Sequence, residues 1–294
     1  DGGLVPGLRG VDLDFDLNES GGKATVALMD GRIDVPGVFD DPSLPFDQLN
    51  TDVQWKRDGP RISLSLTNLR FRNAVAQGEA QLRWQTADTP TGTSASAYPG
   101  LLDLQGSLSR ADGTRVYRYL PLGIPQETRD YLRDALVAGS ATGVRFKVKG
   151  NLDDFPYTTP KQGDFRISAD VHNATLAYVP PGLLPKDSLQ WPALTQLSGE
   201  LVIDRAILQV KGARASVAGA PDLRIVRADA VIDRLYDGAT VSVTAEAQGP
   251  VSDMLGVVVN GSPLGRLMDH ALERATATGS ADYRFKLGVP IAAV

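Results

Sequence analysis

Gly143-Val144-Arg145-Phe146-Lys147-Val148-Lys149-Gly150 alternates between apolar and cationic side chains along its whole interior. Successive side chains of a β-strand point to opposite faces of the sheet, so this octapeptide predicts a strand with one apolar and one cationic face. The design recurs in Tyr283-Arg284-Phe285-Lys286-Leu287, and it recurs with acidic polar residues in Val11-Asp12-Leu13-Asp14-Phe15-Asp16-Leu17. The feature that the three stretches share is the apolar face.

Shorter alternating runs continue along most of the chain, and Asp-Gly pairs typical of hairpin turns lie between them. Helical spacing of apolar residues is found in two stretches, 126–138 and 262–275. The sequence therefore predicts a mainly β chain in which strands of a long, twisted antiparallel sheet pair in sequence order, with two short amphipathic helices. The further strand candidates are Arg61 to Leu66, Leu102 to Leu108, Asp164 to Val171, Glu200 to Ile203, Ala206 to Val210, Thr240 to Ala245 and Ala281 to Gly288.

The length of 294 residues is sufficient for one large domain or two ordinary ones. No interval in the sequence requires independent domains. We therefore expect residues 1–294 to form one continuous elongated segment, with a soft division near residues 150–163. The abrupt start and end of the chain are those expected of an internal fragment.

Composition and motifs exclude most catalytic chemistries. The net charge of -5 is spread along the chain, which gives no indication of nucleic-acid binding. The absence of cysteine excludes disulfides, thiolate metal sites and a cysteine nucleophile. The two histidines, His172 and His270, have no ligand-spaced neighbours, and no serine-hydrolase, nucleotide-binding or phosphate-loop motif occurs. The sequence thus predicts no catalytic residue, no metal site and no cofactor, and it contains no transmembrane stretch.

The three aspartates Asp12, Asp14 and Asp16 allow a calcium loop, a catalytic acid pair or the solvated side of a strand. An EF-hand beginning at Asp12 places Leu17 where glycine is needed and Lys23 where glutamate is needed. A glycosidase pair fits the roughly 7 Å that separates alternate Cα atoms on a strand, although no aromatic sugar platform accompanies it. The solvated strand is the interpretation that we favour.

The apolar faces themselves admit two explanations. A compact β-sandwich buries such faces against a second sheet. A long, strongly curved sheet instead leaves an apolar concave face partly uncovered, and exposed apolar area of that size usually marks an interaction site. Acyl chains are a ligand that such a groove suits without any catalytic residue.

Several short motifs resemble one known family. They are Tyr117-Arg118-Tyr119-Leu120-Pro121, the helix Thr128 to Leu136 with Gly139 after it, Val144 to Gly150, Asp154-Phe155-Pro156-Tyr157, Trp191-Pro192-Ala193-Leu194, Leu197 to Leu201, and the segment from Gly249 to Pro290. Together they cover most of the chain and resemble the YhdP-type branch of the AsmA-like envelope proteins of Gram-negative bacteria.

This resemblance implies an AsmA/TamB-like β-groove in a periplasmic protein that an N-terminal helix, absent from this chain, anchors in the inner membrane. It implies transport of phospholipid between the inner and outer membranes, with phospholipid acyl chains as the ligand and other envelope proteins as further partners. The alternative is an envelope scaffold or assembly module with a closed β core and protein-binding loops. The predicted groove lining consists of Leu13, Phe15, Leu64, Leu66, Val144, Phe146, Val148, Phe165, Ile167, Tyr283, Phe285 and Leu287.

Overall fold

A computed structural model of the chain describes residues 7–87, 98–184, 188–236, 239–259, 262, 263, 265, 269 and 271–290. Within them, thirteen strands form one sheet whose order is the order of the sequence, from β1 at one end to β13 at the other. The mainly β, antiparallel fold that alternation predicted is confirmed. The strands are β1 Gly7–Asn18, β2 Gly21–Asp34, β3 Ser43–Asp58, β4 Arg61–Arg72, β5 Ala76–Gln85, β6 Leu101–Asp112, β7 Leu136–Asn151, β8 Gly163–Leu176, β9 Leu194–Asp204, β10 Ile207–Val217, β11 Ala220–Ile232, β12 Thr240–Pro250 and β13 Ser280–Pro290.

The first predicted helix is observed as α1, Gln126–Ala135, in the connection between β6 and β7. Its buried Arg129 donates to the carbonyl oxygens of Leu122 and Ile124, which satisfies a guanidinium group that burial alone would penalise. The Tyr131 hydroxyl donates to the Tyr178 carbonyl at 3.1 Å. These bonds tie α1 to the chain on either side of it.

The second helix differs from the prediction. A helix that alternation did not predict, α2, occupies Val251–Val259 directly after β12. Five residues of the predicted stretch 262–275 lie outside the described residues, namely Leu264, Arg266, Leu267, Met268 and His270, and residues 271–274 form turns. None of the described helices has the length and apolar composition needed to cross a bilayer.

The chain divides into two compact units. The first contains β1 to β5, β6 as far as Ala111, and residues 142–151 of β7, 163–169 of β8 and 202–204 of β9. The second contains α1, α2, β10 to β13 and the remaining parts of β7 to β9. The expectation of one continuous segment with a soft division near residues 150–163 remains a prediction. In sequence the first unit is Asp1–Ala111, Thr142–Ala169 and Val202–Ala206, and the second is Asp112–Ala141, Asp170–Leu201 and Ile207–Val294.

Candidate functional site

The first unit carries a continuous apolar face across β1 to β6. Residues directly paired between antiparallel strands place their side chains on the same face, so the strand register identifies its members. Each of two rows runs across all six strands. One row is Phe15, Ala24, Val53, Leu66, Leu82 and Leu104; the other is Leu17, Gly22, Trp55, Leu64, Trp84 and Leu102.

Burial varies along this face. Val26, Leu28 and Leu49 on β2 and β3 are buried and form a small core with partly buried neighbours such as Phe71. Leu64 and Leu66 on β4 are half-buried, and Phe15 on β1 is exposed. All described strands belong to a single sheet, so no second sheet of described residues covers the face. A β-sandwich, one of the two explanations for the apolar faces, is therefore not what the described strands form.

Small residues on the apolar face make room for large ones. A Cβ at Gly22 would lie 2.4 Å from Cζ2 of Trp55, its paired residue on β3. A Cβ at Gly106 would lie 2.5 Å from Cζ of Phe146 on β7. Real Cβ atoms do not approach that closely, so glycine is required at both positions for the large side chains to lie flat against the sheet.

Aromatic side chains gather where the hairpins β5–β6 and β7–β8 turn. Trp84 stacks on Tyr98 with ring centroids 5.8 Å apart, and its indole N–H donates to the Pro99 carbonyl at 2.7 Å. In the β7–β8 connection, Phe155 makes edge contacts with both Tyr157 and Phe165. Loop residues therefore partly cover the strand ends, including the predicted lining residue Phe165.

Tyr157 is fully buried in this cluster, and its hydroxyl has no hydrogen-bond partner among the described residues. Burial, with a smaller contribution from the Asp154 carboxylate, raises the pKa of Tyr157 to about 12. The group therefore remains a neutral phenol at physiological pH. Its aromatic body fills space against Phe155, and the structure assigns the hydroxyl no role in chemistry.

The second unit has its own apolar face, built mainly from alanine. The register places Ala213, Ala228, Ala245 and Phe285 in one row across β10 to β13, and Val210, Ala230, Val243 and Leu287 in the next. Met254 and Val257 of α2 pack against the neighbouring cluster of Ala220, Leu223 and Ala247, together with Tyr283 and Phe285. Helix α2 thus covers part of this face, over two of the predicted lining residues.

The opposite face of the first unit is polar. One of its rows consists of paired residues Asp16, Lys23, Gln54, Ser65, Arg83 and Asp103. The Asp103 carboxylate also forms an ion pair with the Lys149 ammonium at 3.1 Å. A hollow of about 570 Å³ lies beside this row and is lined by Lys56, Arg83 and Lys149 among others. The polar face therefore holds alternating charges rather than a single-sign field.

A denser ion-pair network joins β7, β8 and the turn after β9. Asp164 accepts from Lys147 at 2.7 Å and from Arg205 at 2.6 Å, and Arg205 also contacts Asp204 at 2.6 Å. The hydrogen bond from the Lys147 ammonium holds the pKa of the Asp164 carboxyl below its usual value, although burial opposes the shift. This network lies on the polar face of β7 and β8, the strands that carry Phe146 and Phe165 on their apolar face.

No described group of three or more His, Asp or Glu side chains is arranged to hold a metal ion. Asp12, Asp14 and Asp16 lie on the exposed polar face of β1, with the Asp16 carboxylate 3.9 Å from the Lys23 ammonium. His172 is exposed on β8, and His270 lies outside the described residues. The geometry of the described residues is therefore that of an extended apolar surface backed by a charged one.

Comparison with known proteins identifies the family. The sequence model described as YhdP protein matches residues 2–293. The chain belongs to the YhdP family. No curated protein matches it significantly. No solved structure matches it either. YhdP proteins are a family of the Gram-negative envelope, and membership suggests a non-enzymatic lipid-transport role of the AsmA-like kind.

In this YhdP-family chain, the predicted lining residues fall into groups that the structure now places. Leu13, Phe15, Leu64 and Leu66 share the apolar face of the first unit, as does Phe146 through its contact with Gly106. Val144 and Val148 alternate in step with Phe146 on β7, and Ile167 does so with Phe165 on β8. Tyr283, Phe285 and Leu287 lie on the face of the second unit. Their contact with lipid remains a prediction.

Sequence reasoning missed several members of the two faces. Trp55 and Trp84 flank Leu64 in the paired row, and Gly22 and Gly106 provide the space that the large side chains need. The signal in the sequence was glycine inside an alternating strand, which often marks a close approach. The alanines of β10 to β12 were missed because alanine alone carries little strand signal.

Proposed function

We propose that this chain is a segment of a periplasmic bridge that carries phospholipid between the inner and outer membranes along its apolar faces. The acyl chains contact the rows of the apolar face, whereas the charged polar face remains in water. The full-length protein is anchored in the inner membrane, and other envelope proteins are its further partners.

The observation that carries the proposal is the pair of unbroken apolar rows across β1 to β6, from Phe15 to Leu104 and from Leu17 to Leu102. A row of six residues spans five strand spacings of about 4.8 Å each, or roughly 24 Å, which is close to the length of an extended acyl chain. Half-buried side chains such as Leu64 and Leu66 retain apolar surface that a ligand can cover. Family membership supports the same role.

Native mass spectrometry of the chain purified from bacterial membranes tests the proposal. We expect copurified phospholipid, which detergent exchange removes and added phospholipid restores. A chain that is lipid-free after every gentle purification, and that fails to take up added phospholipid, contradicts the proposal.

The scaffold alternative predicts a different response to a lipophilic fluorophore. An accessible apolar face increases the emission of the dye, and phospholipid competes with the dye for the face. A closed β core leaves the dye dark in the folded protein and increases its emission only when the protein unfolds.

A further inference from the structure

The polar face of the first unit contains a hollow of about 570 Å³, a volume typical of sites for small ligands. Every described residue that lines it belongs to this unit. The lining residues Leu64, Trp84 and Leu102 have their side chains on the apolar face, and they separate two rows of side chains that point into the hollow. One row is Lys56, Ser63, Gln85 and Leu101, and the other is Gln54, Ser65, Arg83 and Asp103, beside Lys149 of β7.

Two serines of the hollow lie between two long cationic side chains. Ser63 and Ser65 are on β4, whereas Lys56 is on β3 and Arg83 is on β5. The strands β3 and β5 are two strand spacings apart, or roughly 10 Å. The serine side chains are short, so they leave space above β4 that the lysine and the arginine can reach from either side. A small ion above the serines can therefore contact both cations.

The charges that line the hollow are not balanced. Lys56, Arg83 and Lys149 contribute three positive charges, and Asp103 contributes the one carboxylate among the described lining residues. That carboxylate is engaged by the Lys149 ammonium at 3.1 Å. In the described part of the chain, neither Lys56 nor Arg83 forms an ion pair or a side-chain hydrogen bond. Two positive charges therefore line the hollow without a counter-ion from the protein.

Carboxylates near the hollow on the same face have other neighbours. Asp52 accepts a hydrogen bond from the Asn68 amide at 2.7 Å. Asp58 lies directly opposite Arg61 in the register of β3 and β4. Both acids are outside the lining of the hollow, so they do not neutralise its two cations by direct contact.

The polar groups of the hollow match a phosphate group and the polar molecule attached to it. The guanidinium of Arg83 offers paired N–H donors to two phosphate oxygens, and the Lys56 ammonium adds a point charge. The hydroxyls of the two serines can donate to the remaining oxygens. The side-chain amides of Gln54 and Gln85 can donate to and accept from hydroxyl groups. A volume of about 570 Å³ exceeds what a bare phosphate fills, so it leaves room for such an attached group.

We propose that this hollow binds the phosphate ester of a small polyol or sugar from solution. The sheet itself separates the hollow from the apolar face, so the site is distinct from the proposed lipid path, and the proposal does not rest on lipid binding. Lys56 and Arg83 are exposed, so their charges are solvated and screened by salt. We therefore expect a dissociation constant on the order of 0.1 mM that increases with salt concentration.

Isothermal titration calorimetry of the whole chain tests the proposal with three probes: glycerol 3-phosphate, inorganic phosphate and glycerol. Glycerol 3-phosphate should bind saturably, inorganic phosphate more weakly, and glycerol not at all. The absence of saturable binding of either phosphate at concentrations up to about 10 mM overturns the proposal. Equal affinities for the two phosphates contradict a site that also contacts the polyol.

Vesicles that contain phosphatidylglycerol distinguish a soluble phosphate ester from a lipid headgroup. In a flotation assay, glycerol 3-phosphate should not displace the chain from vesicles, because the hollow is not where a membrane lipid binds. Binding to the vesicles without binding of either soluble phosphate overturns the proposal.

Substitutions in the hollow should change the affinity for glycerol 3-phosphate in both directions. Arg83→Gln and Lys56→Gln should each weaken binding about tenfold, since each removes a charge-assisted contact. Asp103→Asn should instead strengthen binding about threefold, because it removes the carboxylate and leaves the Lys149 charge for the ligand. The matched control is Arg70→Gln, which removes the same charge from an exposed β4 arginine outside the hollow.

The comparison with Arg70→Gln separates a local site from the effect of net charge. Circular dichroism and thermal unfolding first establish that each variant is folded. A loss of affinity in Arg83→Gln that is no larger than the loss in Arg70→Gln contradicts the proposed site. Weaker binding in a folded Asp103→Asn variant contradicts it as well, since removal of a carboxylate cannot weaken a site that recognises an anion through its cations.

Discussion

The Phe146 ring lies against Gly106, so close that a Cβ at position 106 would stand 2.5 Å from its Cζ atom. This contact joins β6 to β7 on the apolar face and fixes the orientation of a predicted lining residue. Because the ring and the backbone of β6 touch directly, the surface at this point is shaped by the absence of a side chain.

Gly106→Ala should therefore lower the free energy of unfolding by about 1–3 kcal/mol, since the added methyl group would lie 2.5 Å from both the Phe146 ring and the Glu79 carbonyl oxygen and forces them apart. Chemical denaturation followed by circular dichroism measures the change. Gly288→Ala on β13 is the control, because a Cβ there meets nothing within 4 Å. If both substitutions have the same effect, the close packing at Gly106 is unimportant for stability.

Phe146→Glu should abolish most phospholipid binding, because it places a carboxylate on the apolar face where acyl chains are proposed to lie. The matched control is Arg145→Glu, which adds the same side chain at the neighbouring exposed position on the other face. Phospholipid bound per folded chain is measured by native mass spectrometry. Equal lipid content in the two variants would remove β7 from the proposed path.

Asp164→Asn should make the free energy of unfolding less dependent on pH under acidic conditions. The folded pKa of this carboxyl is depressed, so its contribution is complete at pH values above the unfolded pKa of about 4 and is lost as the pH falls through the lower folded value. The parent should therefore lose stability below about pH 4 more steeply than the variant. Urea unfolding at a series of pH values measures this. Parallel profiles for the two proteins would show that Asp164 is not coupled to folding.

Tyr157→Phe should leave stability at pH 7 unchanged or raise it by about 1 kcal/mol, because it removes a buried hydroxyl that has no partner among the described residues. The raised pKa of about 12 stabilises the folded protein below the unfolded value of about 10, and that contribution is lost as the pH rises from 10 to 12. The variant should consequently be less sensitive to alkali. A marked loss of stability at pH 7 would instead indicate that the hydroxyl is hydrogen-bonded.

Alternation was sufficient to predict nine of the thirteen described strands and the pairing in sequence order, because a two-residue period and Asp-Gly turns are local signals; β2, β3, β5 and β11 were not among the strand candidates. It was also sufficient to place Leu64, Leu66 and Phe146 on an apolar face. It could not identify Trp84 as the neighbour of Leu64, since that pairing depends on the register between β4 and β5. Register is set by bulges and turn geometry across the whole sheet.

Helix α2 shows why local preference fails. Its sequence, Val251 to Val259, is rich in valine, which favours strands over helices. Packing of Met254 and Val257 on Ala247 and Phe285 outweighs that preference. The Asp253 carboxylate also accepts a hydrogen bond from the Asp222 backbone N–H at 3.2 Å, a contact between elements that no local pattern reveals.

The identity of strand order and sequence order has a mechanical consequence. Each strand from β2 to β12 is hydrogen-bonded to the strands that precede and follow it, so the described part of the sheet contains no crossover that must form before the rest. Contacts close in sequence favour rapid folding, and such a chain can grow from any hairpin by adding one strand at a time. Force applied to β1 and β13 should therefore detach the strands one at a time rather than in a single unfolding event.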